Sequence, residues 1–111
     1  MTTLADRMEA DLRTDVEDND TVSDEAIARV RRICKDIEKI VGDARIAAFA
    51  DGKGSASLTL QPEGNYRRVS YVVLGNGAID FVSRVDENSN YTCATQHTIR
   101  ENAKWAMGKT T

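Results

Sequence analysis

Ala26, Ile27, Val30, Ile33, Cys34, Ile37, Ile40 and Val41 recur at i, i+3, i+4 and i+7, and that spacing predicts an amphipathic helix over 23–41. Thr21 or Ser23 can cap it, Asp24 and Glu25 suit the positive end of the helix dipole, and Gly42 stands where it would stop. Leu4, Met8 and Leu12 repeat every four residues among polar neighbours, which predicts a shorter amphipathic helix before it. A dozen residues make a marginal helix alone, so its narrow stripe must dock on this domain, a second copy or a partner.

From residue 44 the period falls towards two. The alanines of 44–50 suit a helix as well as a strand, but the turn Asp51-Gly52-Lys53-Gly54 and the alternation after it, with Leu58 and Leu60 on one face, make strands the expectation over 45–50 and 55–61. After the turn at Pro62–Asn65, residues 66–74 are rich in aromatic and β-branched side chains. Gly75-Asn76-Gly77 then reverses the chain into Ile79, Phe81, Ser83 and Val85, expected on the core face, with Asp80 on the solvated one. A polar turn over 86–90 leads to a last short strand, 91–95. Thr98 with Glu101 forms a capping box for a helix over 98–107, lined by Ile99, Ala103, Ala106 and Met107. The order predicts one α+β domain over 1–111: N-terminal helices, an antiparallel β-meander of four to five strands, and a C-terminal helix packed on one face.

Charge divides the chain. The first twenty-five residues hold nine acids against Arg7 and Arg13, a net of −7, whereas the remainder is +4 and the whole −3. An acidic segment of this kind, 1–20, free to move, is suited to a cationic surface. Asp11, Asp15, Glu17, Asp18 and Asp20 are therefore candidate partner-binding residues. Trp105 is another, because at 100° per residue it falls off the stripe of its helix, and tryptophan is enriched in binding hot spots. An equally weighted alternative folds it over the sheet edge to complete the core.

Other chemistry is thin. His97 lies four residues after Cys93, but one histidine with one thiol supplies neither the ligand count of a zinc site nor an oriented catalytic base. The glycine turns lack phosphate-loop spacing, and Asp80 has no carboxylate partner for acid–base work. No cofactor or metal is expected, and a binding protein is favoured over an enzyme. Arg29, Arg31, Arg32 and Lys35 on the second helix, with Arg67 and Arg68, could touch phosphates, but the chain's overall acidity argues against nucleic acid. No apolar run approaches a membrane span and no leader opens the chain, so the cytoplasm is the expected compartment, with Cys34 and Cys93 as buried thiols.

The run ARIAAFADGKGSASLTLQ…YRRVSYVVLGNGAIDFVSRV, residues 44–85, resembles the strand meanders of small bacterial and phage accessory-genome inhibitors, the immunity proteins and antitoxins. The resemblance implies a non-enzymatic inhibitor that neutralises a basic protein partner such as a nuclease toxin. Two other classes stay open: a small dimeric regulatory or structural domain, and a ligand-binding domain or enzyme with a pocket between sheet and helices.

Overall fold

The structure is a computed structural model that describes residues 3–14, 21–42, 45–62, 66–86, 88, 91–93 and 99–108. Two helices, α1 (Leu4–Thr14) and α2 (Asp24–Val41), precede five strands, β1 (Ile46–Ala50), β2 (Ala56–Leu60), β3 (Arg68–Val73), β4 (Ile79–Val85) and β5 (Tyr91–Cys93), and a last helix, α3 (Ile99–Ala106). The strands form one antiparallel meander in sequence order, β1-β2-β3-β4-β5. The α+β architecture predicted from the periodicities is the observed one.

Local chemistry opens α1 and bounds α2 at both ends. The Thr3 hydroxyl accepts the Asp6 N–H to open α1, and the Ser23 hydroxyl accepts the Ala26 N–H to open α2. Gly42, at φ +52, closes α2 by donating its N–H to the Glu38 carbonyl. The capping residue proposed for α3, Thr98, lies outside the described residues.

The start of α2 is seated on two hairpin turns. Ser23 N–H donates to the Gly54 carbonyl in the β1–β2 turn, and its hydroxyl donates to the Gly75 carbonyl in the β3–β4 turn. Glycine is required at Gly75, where a Cβ would stand 2.8 Å from the Lys53 carbonyl oxygen, and at Gly77, whose φ is +86 against the Glu25 backbone.

Register assigns the sheet faces. Ile46, Leu60, Val69 and Arg84 form one row across the sheet, and Ala48, Leu58, Tyr71 and Val82 the next, all on the face covered by helices. Leu58, Leu60, Val69 and Tyr71 are fully buried there with Ile33 and Ile37 of α2 and Met8 and Leu12 of α1. Residues 4–14 are thus a docked part of the core and no loose arm. On the other face lie Phe49, Ser57, Val72 and Phe81 in one row, and half of Phe49 is exposed.

Strand β4 departs from its expected phase. Val72 pairs with Phe81 but Val73 pairs with Ile79, so Asp80 is an extra, bulged residue. The bulge lets Ile79 pack on the core and then turns Val82 and Arg84 inward, while Phe81, Ser83 and Val85 fall on the opposite face, where Ser83 is buried. Strict alternation from Ile79 could not reveal that slip, because a one-residue shift exchanges the faces.

Candidate functional site

The helices α1 and α2 run antiparallel, since Arg31 of α2 meets Asp6 at 2.8 Å and Glu9 at 3.0 Å, while Arg13 reaches Asp24 at 3.5 Å. Arg13 also holds Glu9 at 2.8 Å, one turn back. The side-chain bond from Arg31 draws the Asp6 carboxyl below the ordinary carboxylate range, and the bond from Arg13 does the same to Glu9. Both acids are therefore engaged within the protein. Asp11 is exposed on α1, and Glu25 and the Arg13-paired Asp24 are exposed on the first turn of α2. Asp15, Glu17, Asp18 and Asp20, in the connection between the two helices, lie outside the described residues.

Two arginines stack on Trp105. The guanidinium carbons of Arg67 and Arg84 stand 5.0 and 5.1 Å from its ring centroid. Arg67 also donates to the Trp105 carbonyl at 2.8 Å, and Arg84 Nε donates to the Oδ1 of the fully buried Asn102 at 2.7 Å. The Tyr71 hydroxyl donates to the Ile99 carbonyl at 2.9 Å, completing the attachment of α3 to β3. Burial raises the Tyr71 phenol and lowers the Arg84 guanidinium from their ordinary values. The ring is partly buried against the core. Since α1 and α3 pack on α2 from elements over β1 and β3, Trp105 and Asp11 are not brought into one cluster.

The remaining basic residues separate by role. Arg29 donates to the Gly77 carbonyl at 2.8 Å and so ties α2 to the β3–β4 turn. Arg68 is exposed, on the face away from the helices. Arg32 and Lys35 are exposed on the outer side of α2, where Lys39 and two residues of α3, Arg100 and Lys104, join them. That second row escaped sequence reasoning because nothing local to 99–106 says which helix it will lie beside.

Cys34 is a free, fully buried thiol whose burial pushes its pKa up to about 12, which removes it from nucleophilic chemistry at neutral pH. His97 and the side chain of Cys93 lie outside the described residues, so the Cys93–His97 pairing considered from sequence has no described geometry. Asp80 is exposed on its bulge. Among the described residues no group of three His, Cys, Asp or Glu could hold a metal ion, and no helix is long and apolar enough to cross a membrane. Comparisons of the chain with known protein families, curated proteins and solved structures return no match.

Proposed function

We propose that the chain is a non-enzymatic inhibitor of the immunity-protein or antitoxin type, working in the cytoplasm, that neutralises a protein partner with a basic surface such as a nuclease toxin. One observation supports it above others. Because α1 is docked antiparallel on α2, the exposed Asp11, Asp24 and Glu25 belong to the same end of the helical layer, and in sequence the four acids of 15–20 join these two helices. Acids concentrated in this part of the chain would steer a cationic cleft in encounter.

The test is a quadruple charge reversal, Asp15→Lys, Glu17→Lys, Asp18→Lys and Asp20→Lys, measured against a small basic nuclease taken from the native host. Wild type should slow cleavage, and the variant should associate more slowly and lose much of its salt dependence. Equal inhibition by both proteins would sink the reading. Deleting 1–20 is unsuitable, because it removes Leu4, Met8 and Leu12 from the core.

A second reading, a homodimer, is favoured by the sheet edge. Asp51 N–H donates to the Ser55 carbonyl and Gln61 N–H to the Arg45 carbonyl, which sets the phase of the β1–β2 ladder. Odd-numbered residues bond to β2, and Ile46, Ala48 and Ala50 turn their N–H and C=O groups outward. The strand IAAFA carries no charge or proline to block pairing with a second copy. Ala48→Pro removes an outward donor while sparing the internal ladder. Sedimentation should then show a dimer for wild type and a monomer for the variant; a wild-type monomer at high concentration would remove this reading.

A further inference from the structure

The core stripe of α2 fixes what its opposite side presents. With Val30, Ile33, Ile37 and Val41 buried, the outermost row of the helix is Ala28, Arg32, Lys35 and Lys39, at i, i+4, i+7 and i+11. Helix α3 lies alongside and adds Arg100 and Lys104, one turn apart, which border a shallow furrow with Lys35, Asp36, Lys39 and Ile40 of α2, while Arg32 continues the α2 row beyond it. Four cations line the furrow with one carboxylate, and Arg32 adds a fifth along the same helix row, in a chain whose net charge is −3.

These cations are also unspent. Arg13 and Arg31 are consumed by Glu9, Asp24 and Asp6, and Arg29 by a backbone carbonyl. Among the described residues, Arg32, Lys35, Lys39 and Lys104 have no hydrogen-bond or ion-pair partner, and Arg100 has only the 3.9 Å approach to Asp36. The overall acidity that argued against nucleic acid is an average over two separated regions, since seven units of negative charge belong to the first twenty-five residues.

We propose that this furrow between α2 and α3 binds the phosphodiester backbone of a nucleic-acid duplex without regard to base sequence. Cations repeating along a helix at roughly 5–6 Å form a row that can follow a regularly charged strand. Among the described residues no aromatic side chain lines the furrow, so the cations offer phosphate contacts without the stacking platform that single-strand binders use. Ala28, small and exposed, leaves room for close approach at one end of the row. The furrow residues are different from Asp15, Glu17, Asp18 and Asp20, so each proposal has its own test.

The experiment is fluorescence anisotropy of the full chain with two fluorescein-labelled DNA duplexes of unrelated sequence. Both should bind alike, and four to five phosphate contacts should give a slope of about −4 for log affinity against log salt, a loss of about 250-fold between about 50 and 200 mM. The double variant Lys35→Glu, Lys39→Glu should weaken binding at least about tenfold and flatten the slope by about 2. A control of equal charge change, Arg7→Glu with Arg68→Glu, both exposed elsewhere, should leave affinity near wild type. Circular dichroism of both double variants verifies that they fold. The proposal is overturned by the absence of salt-dependent binding, by equal loss in the control pair, or by a polyglutamate peptide competing as well as DNA, which would make an acidic protein segment the occupant.

Discussion

Arg84, on the helix-facing side of β4, donates its Nε to the Oδ1 of Asn102, a residue of α3 with no exposed surface. The bond places a guanidinium beside an otherwise apolar layer and supplies a sequence-distant link between the sheet and the last helix. Asn102→Ala removes the acceptor and leaves a charged donor partly buried, which should cost about 1–3 kcal/mol in urea unfolding. An unchanged midpoint would show the bond to be replaceable by water.

Trp105 is predicted to contribute to stability as well as to any contact surface. Its ring packs on the core and lies under two guanidiniums, so Trp105→Ala should cost about 2–4 kcal/mol. As the single tryptophan, it also reports directly: its emission should shift when Arg67→Met and Arg84→Met strip the cations from the ring.

Ile33 and Ile37 have no exposed surface and meet the sheet's buried residues from α2. Each replaced by Ala should lose about 2–5 kcal/mol, depending on how far the cavity collapses. A loss under about 1 kcal/mol at either, read from urea unfolding, would contradict the packing described.

The Cys34 thiol gives a prediction in pH. Folded, it stays protonated to about 12, while in the unfolded chain it ionises near its ordinary 9.0. Its contribution to stability is therefore complete below about 9 and is lost as pH rises from 9 towards 12. Native Cys34 should resist alkylation at pH 8 and react on unfolding, and Cys34→Ala should flatten the alkaline fall in unfolding midpoint.

Asp6 and Glu9 act in the opposite direction. Both are held below their ordinary values by arginines, so what they add is present at neutral pH and lost as pH falls below about 4. Amide exchange in α1 should accelerate at pH 3 relative to pH 6, and Arg31→Gln should abolish most of that difference. Unchanged protection would mean that Leu4, Met8 and Leu12 alone hold the helix.

The elements themselves were legible along the chain. The α2 stripe, the glycine turns at 51–54 and 75–77, and the short α1 repeat depend on residues within a few positions of one another, and backbone periodicity converts such local patterns directly into helices and strands. The acidic bias of the first twenty-five residues needs no folding to be read. What the tertiary structure decided depends on neighbours distant in sequence. The bulge at Asp80 follows from the register of β3 against β4, and it exchanges the faces of Phe81 and Val82. The stacking of Arg67 and Arg84 on Trp105 joins residues 38 and 21 positions from the ring, which no local spacing encodes. The cationic furrow likewise exists only because α3 comes to rest beside α2, setting Arg100 and Lys104 across from Lys35 and Lys39. Charge and periodicity are properties of the chain, whereas a binding surface is a property of which elements pack side by side, and that is settled by burying one common core.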